Sequence, residues 1–243
     1  MKPKTSFIGI IPSRYASTRF PGKPLTMIDG MSMIERVYRQ AQLSTSLSKV
    51  IVATDDERIY DHVKNFGGEV AMTSTTHQSG TDRCAEVISQ LKEQYDVAIN
   101  IQGDEPYIQP EQIDLLCSCF EKEQTQIATL IKEIKNIEDI QNPNVVKAVA
   151  SKELIALYFS RHAIPFNRNN SESTIYYKHI GIYAYRTNIL SLISKLPVSL
   201  LESAEALEQL RWLENGYSIQ TAITNYETIA VDTPADLEKL KRK

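Results

Sequence analysis

The chain has 243 residues, 42% hydrophobic and 23% charged. Those proportions exclude a disordered, collagen-like or fibrous chain, and no apolar run approaches the roughly 18 residues of a membrane span. The net charge of −3 gives no global attraction for nucleic acid, and three cysteines are too few, and odd in number, for a disulfide framework. Met1-Lys2-Pro3-Lys4 runs straight into a strand-like segment without a signal-peptide cleavage pattern, so the expected compartment is the cytosol. Charge is uneven: Lys2, Lys4, Arg14, Arg19 and Lys23 all precede the first carboxylate, Asp29. An acid-free basic start on an acidic chain suggests a small anionic ligand near that end, although composition alone leaves chance as an alternative.

In chain order, residues 5–12 (TSFIGIIP), 49–54 (KVIVAT), 69–72 and 96–102 (DVAINIQ) are short, nearly unbroken apolar runs. Strands buried on both faces look like this. Between them, residues 32–43 set Met33, Ile34, Val37, Tyr38 and Ala41 at helical spacing. Residues 56–66 form a second helix, stopped by Gly67 and Gly68. Residues 81–91 form a third, with Ala85, Val87, Ile88 and Leu91 inward, and residues 111–123 a fourth. Repeated βα units predict a parallel, doubly wound sheet with right-handed crossovers.

After residue 125 the pattern changes. Residues 126–134, 145–150 and 177–185 are strand-like, whereas 136–144 and 167–173 (NRNNSES) read as loops. Residues 203–214 read as one helix, stopped by Asn215 and Gly216, and 217–224 as a strand. Pro234 opens a last helix, at a favoured first-turn position. The expected architecture is a three-layer α/β fold, one domain over 1–243, with a mostly parallel sheet and a smaller antiparallel subregion at about 130–200.

In such sheets the ligand sits beyond the carboxyl ends of the strands, where strand order reverses. Two segments fall there. The loop RYASTRFPGKPL at 14–25 carries Arg14, Arg19 and Lys23, the hydroxyls of Ser17 and Thr18, and Gly22. Arginine forks and a lysine point charge suit phosphate oxygens, and Pro21 and Pro24 stiffen the loop, so less entropy is lost on binding. It is neither a dinucleotide fingerprint nor a P-loop; a solvated basic loop is the bland alternative. The second segment is Gln102-Gly103-Asp104-Glu105-Pro106. Adjacent carboxylates at the end of a buried strand are poorly placed for stability, and Mg²⁺ favours one or two carboxylates plus phosphate oxygens. An Asx turn is the alternative. Asp232, before Thr233-Pro234, reads as a helix N-cap. His62, His77, His162 and His179 show no metal spacing. Cys117 and Cys119, two apart on a helix, point to different faces, and Cys84 and Trp212 read as core.

The 14–25 string, with HQSGTDR (77–83), QGDEP (102–106), NPN (142–144), YFSR (158–161), HIGIY (179–183), LEQLR (207–211) and VDTP (231–234), resembles the 3-deoxy-manno-octulosonate cytidylyltransferases, or CMP-Kdo synthetases. The blocks occur in family order from about residue 7 to 238. The resemblance implies a Rossmann-like nucleotidyltransferase fold, a cytoplasmic homodimer, Mg²⁺, and transfer of a cytidylyl group from CTP to Kdo for lipopolysaccharide or capsule assembly. The antiparallel subregion would then carry the sugar site and the dimer contact. By similarity, Arg14, Arg19 and Lys23 hold the CTP phosphates, and Ser17, Ser79 and Arg83 shape the cytidine pocket. Asp104 and Asp232 hold Mg²⁺, overriding the cap reading of Asp232; Lys23, Asp104 and Asp232 form the catalytic set. Arg161 pairs with the sugar carboxylate, and Gln102, His179, Tyr183, Glu208 and Gln209 read its hydroxyls. His162 and the 167–176 loop, shorter than in some relatives, depart from the family pattern near the expected sugar site. A CMP-sialic-acid-type synthetase and a non-catalytic nucleotide binder on the same fold are the competing expectations.

Overall fold

The computed structural model describes residues 5–16, 20–169, 171, 173–227, 229–231 and 233–240. In chain order the first half runs β1 (Phe7–Ser13), β2 (Met27–Ile28), β3 (Met31–Ser32), α1 (Met33–Gln42), β4 (Lys49–Thr54), α2 (Glu57–Asn65), β5 (Val70–Met72), α3 (Gly80–Gln90), β6 (Val97–Asn100) and α4 (Pro110–Ser118). The second half runs β7 (Ile127–Glu133), α5 (Ile137–Gln141), β8 (Lys147–Ala150), β9 (Ala156–Ser160), β10 (Tyr177–Arg186), α6 (Thr187–Ile193), α7 (Leu200–Glu205), α8 (Gln209–Glu214), β11 (Ile219–Ile223) and α9 (Pro234–Leu240).

Among the described residues the main sheet has nine strands, with the path β11-β7-β10-β6-β1-β4-β5. β1 pairs in parallel with β4 on one side and β6 on the other, so strand order reverses at β1. Alternation along β1 explains its unbroken apolar run. Phe7 and Ile11 pack with Ile34 and Val37 of α1, Ile59 of α2 and Ile113 of α4 on one face. Ile8 and Ile10 pack with Cys84 and Val87 of α3, Leu190 of α6 and Leu210 of α8 on the other. These are the three expected layers, in a mostly parallel sheet. None of the described helices is long and apolar enough to cross a membrane.

The antiparallel part is woven into that sheet. β10 runs antiparallel between β6 and β7, and β8 extends from β10 to β9. Its register against β7 shifts between Ile180 and Tyr183. The Thr129 hydroxyl fills the bulge, within 3.1 Å of the Ile180 carbonyl and 2.8 Å of the Ile182 carbonyl.

Four expectations are corrected. The helix at 203–214 is two helices, parted at Ala206, whose φ is +50°. α7 buries none of its residues, whereas α8 buries Leu210 and Trp212; the turn redirects the chain so that Leu207 and Leu210 reach the core. The loop at 136–144 contains α5, started by Asn136 accepting from the Glu138 amide. The helix at 111–123 ends at Ser118 and tightens into a 3-10 turn at Cys119–Glu121. β9 and α6 lie where no element was expected.

Candidate active site

A cavity of about 260 Å³ opens beyond the ends of β1 and β6, at the reversal of strand order. Pro12, Ser13 and Arg14 line it from β1, and Gln102, Gly103 and Asp104 from the segment after β6. The two loops touch through backbone: a Cβ on Gly103 would lie 2.8 Å from the Pro12 carbonyl oxygen, so that position requires glycine. The third wall is the start of α3. Ser79 caps that helix in a reciprocal box with Asp82, and Gln78, Ser79 and Gly80 face the cavity. The positive end of the helix dipole therefore opens on the site, an arrangement suited to anions.

Lys23 donates to Asp104 at 2.8 Å, so the cationic loop and the strand-end carboxylate meet as the sequence implies. Arg14 lines the cavity and is exposed. Ser17, Arg19 and Asp232 lie outside the described residues. The segment before Asp232 does reach the site: the Val231 amide donates to the Asp104 carbonyl at 2.9 Å. Arg83 lines the cavity, but its guanidinium is buried and committed to Asp55 at 2.6 Å, the Thr73 hydroxyl at 2.8 Å and the Ser74 carbonyl at 3.2 Å. Its charge is balanced, so it shapes the wall of the pocket.

The residues expected to read a sugar gather next to this pocket. Gln102 lines the pocket itself. Asn100 of β6 touches Gly80 and faces Tyr183 of β10 across the sheet. Tyr183 packs against His179, Tyr185 and Trp212. Glu208 accepts from the Thr81 hydroxyl at 3.0 Å, and burial raises its carboxyl pKa. Buried here without a hydrogen-bond partner are Asn100 Oδ1, the Tyr183 and Tyr185 hydroxyls, Gln209 Nε2 and Trp212 Nε1. Buried polar atoms are seldom left unpaired, so this cluster is a set of donors and acceptors without protein partners. Burial holds the His179 imidazole at a pKa of about 3, so it is neutral at physiological pH and offers a hydrogen bond, not a charge.

Arg161 stands apart from the pocket lining. Its Nε donates to the Glu205 carbonyl at 2.7 Å, Nη1 to Pro143 at 3.1 Å and Nη2 to Ala206 at 3.3 Å. It thereby caps the C-terminus of α7, just before the turn that delivers Glu208 and Gln209. Lys147, which the sequence reading took only as part of a strand, backs it. Fully buried, its ammonium donates to the carbonyls of Asn142 at 2.9 Å, Val145 at 2.6 Å and Arg161 at 2.5 Å. Glu105, which the sequence offers only as the second of two adjacent carboxylates, has a distinct environment. It is buried, with Oε2 unpaired, and burial, then the Asp104 charge, pushes its carboxyl up to about 8. Thr81, Asn100 and Tyr185 were missed as well. Thr81 lies within the HQSGTDR block and Asn100 two residues before QGDEP, which was the available signal; Lys147 gave none, because strand lysines usually face solvent.

A pocket at the switch point of an open α/β sheet, walled by a cationic loop, a helix N-terminus and a strand-end aspartate, defines a nucleotide-binding α/β protein. Residues 8–223 match the cytidylyltransferase family. A 3-deoxy-manno-octulosonate cytidylyltransferase of Parabacteroides distasonis is 55% identical over 242 residues, with 96% of each chain covered. One from Bacteroides thetaiotaomicron is 54% identical over 240 residues, covering 96% of this chain and 95% of the relative. The solved structure of a CMP:2-keto-3-deoxy-manno-octonic acid synthetase complexed with CTP superposes with a TM-score of 0.92 at 43% identity, covering 98% of both chains. The chain belongs to the 3-deoxy-manno-octulosonate cytidylyltransferase family. At 13% identity and a TM-score of 0.64, a 4-diphosphocytidyl-2C-methyl-D-erythritol synthase from Anaerococcus prevotii shares the fold alone.

Proposed function

We propose that the chain transfers the cytidylyl group of CTP to the anomeric hydroxyl of Kdo, giving CMP-Kdo and pyrophosphate. The observation that carries this reading is the strand-end pocket, where Arg14, Lys23 and the α3 N-terminus converge, in a chain superposing on a CTP complex over 98% of its length. The anomeric oxygen attacks the α-phosphorus, the bond from that phosphorus to the bridging oxygen breaks, pyrophosphate leaves and the hydroxyl proton is released. Such transfers need positioning and charge neutralisation more than covalent partners. Arg14 and Lys23, with Arg19, would face the phosphates; Ser17, Ser79 and Arg83 would bound the cytidine. Arg161 would face the sugar carboxylate. It has five N–H donors, and three of them are used by the carbonyls of Glu205, Pro143 and Ala206. Gln102, Tyr183, Glu208, Gln209 and neutral His179 would read hydroxyls.

The donor set suits Mg²⁺. Asp104 is half-buried at a strand end, and among the described residues no three His, Cys, Asp or Glu side chains gather. Mg²⁺ asks for little more than one or two carboxylates, with substrate phosphate oxygens and water completing its shell. Asp104 and Asp232 would hold it, and when bound it would neutralise the leaving phosphates and acidify the attacking hydroxyl. We also propose a cytoplasmic homodimer that supplies activated Kdo for lipopolysaccharide. The exposed apolar side chains Leu157, Phe166 and Ile175, around β9 and the start of β10, support a dimer contact in that region.

The test is pyrophosphate release by purified protein from CTP with Mg²⁺ and a panel of acid sugars. Release with Kdo is expected. Release with sialic acid but not with Kdo would reassign the chain to the sister synthetases.

A further inference from the structure

Two cations of the pocket sit at the ends of a closed loop, and the closure involves a residue outside the pocket. The Arg58 guanidinium lies 3.3 Å from the centroid of the Tyr15 ring. The guanidinium is fixed: the Asp56 carboxylate accepts from Arg58 Nε at 2.9 Å and from Nη2 at 2.6 Å. The same carboxylate caps α2 by accepting from the Arg58 amide. Tyr15 is in turn joined to Gly22. The Gly22 amide donates to the Tyr15 carbonyl at 3.0 Å. A Cβ on Gly22 would meet Tyr15 Cζ and its hydroxyl oxygen at 3.1 Å, and φ there is +71°. Glycine therefore lets the two ends of the loop close against the ring. Arg14 directly precedes Tyr15, and Lys23 directly follows Gly22. The Tyr15–Gly22 closure thus sets the separation of the two cations.

We propose that Arg58 is a positioning residue for the nucleotide: by stacking on Tyr15 it holds Arg14 and Lys23 at the spacing a triphosphate requires. This rests on the reading that those cations face the CTP phosphates. Arg58 is absent from the cavity lining, and Asp56 already balances its charge, so what it contributes is a flat, oriented surface. Its side chain is 60% exposed, and an exposed pair of this kind adds little to fold stability. Substitution should therefore spare the fold and report on the loop.

The test uses the full-length chain with Mg²⁺, CTP and Kdo, varying each substrate in turn, with CTP binding measured separately. Arg58→Gln should raise the KM for CTP about two- to fivefold, with kcat, the KM for Kdo and the melting temperature unchanged. Arg58→Lys should be no better than Arg58→Gln, because lysine keeps the charge and loses the plane. Arg58→Gln added to Tyr15→Leu should cost nothing beyond Tyr15→Leu alone, because Arg58 acts through the ring. An unchanged KM for CTP in Arg58→Gln, full rescue by lysine, or additive effects in the double variant would each overturn the proposal; additivity would mean that Arg58 meets the nucleotide directly. Arg14→Gln distinguishes the underlying reading: if it leaves CTP affinity intact, the phosphate assignment fails, and the proposal with it.

Discussion

The two ends of the site are built in opposite ways. At the nucleotide end the functional groups stand on loops and a helix start, face solvent and carry charge: Arg14 is exposed, and Lys23 and Asp104 are a partly exposed pair. At the proposed sugar end they stand on β10 and α8 and are uncharged: Tyr183 and Gln209 are buried, and His179 is half-buried. Charges are cheap to keep in water and can be matched by a charged ligand on arrival. Buried neutral groups cost stability until a ligand pairs them, but packing holds them in place beforehand. A triphosphate calls for charge and a sugar for fixed hydrogen bonds, so the construction of each end supports the proposed assignment.

The largest effect expected from this contrast is at Asp104. Asp104→Asn removes the charge that balances Lys23 and would hold Mg²⁺, and should lower turnover about 10²–10³-fold, with the circular dichroism spectrum and melting temperature little changed. Near-normal turnover at limiting Mg²⁺ would take Asp104 out of the metal site. Arg161→Ala comes next. It should raise the KM for Kdo about tenfold and the KM for CTP much less. It should also lower the melting temperature, because the carbonyls of Pro143, Glu205 and Ala206 lose their donor. A larger effect on CTP than on Kdo would move Arg161 to the nucleotide side.

The same contrast explains what could be read from the chain itself. The strands β1, β4 and β6 were legible because burial on both faces leaves a nearly unbroken apolar run. The pocket position was legible because it lies where such strands end, and the Lys23–Asp104 pair joins the two segments that reasoning selected. The sugar end was legible only through resemblance. Its geometry depends on the turn at Ala206, where a strong helix former gives no signal of a break, and on Lys147, which sits in a strand with nothing local to mark it as buried. β9 escaped because its alternation is short: Leu157 is exposed, and Phe159 and Ser160 are both buried. Long-range packing decides these features, and periodicity along the chain does not report it.

The smallest effects, in pH dependence, give the sharpest comparison, because the two ends should respond with opposite sign. Glu105 backs the nucleotide end, and its carboxyl is raised from 4.5 to about 8. Between those values the folded chain keeps a proton that the unfolded chain releases. Its contribution is therefore complete below 4.5 and is lost as pH rises through 8, by at most about 1.4 kcal/mol per pH unit. Glu105→Gln has no proton to lose. In chelator, its melting temperature should match that of the parent near pH 5 and fall less steeply towards pH 8. His179 backs the sugar end and is depressed from 6.5 to about 3. Here the unfolded chain takes up a proton that the folded chain refuses, so stability is complete above 6.5 and is lost as pH falls towards 3. His179→Gln should flatten the acid limb and leave the alkaline one alone. Parallel melting curves for the Glu105 variant and its parent would mean that the carboxyl is already ionised beside Asp104. The nucleotide end would then have to tolerate two adjacent negative charges, one of them already paired with Lys23, before any metal ion arrives, and the contrast between a charged end and a neutral one would extend into the buried layer beneath the pocket.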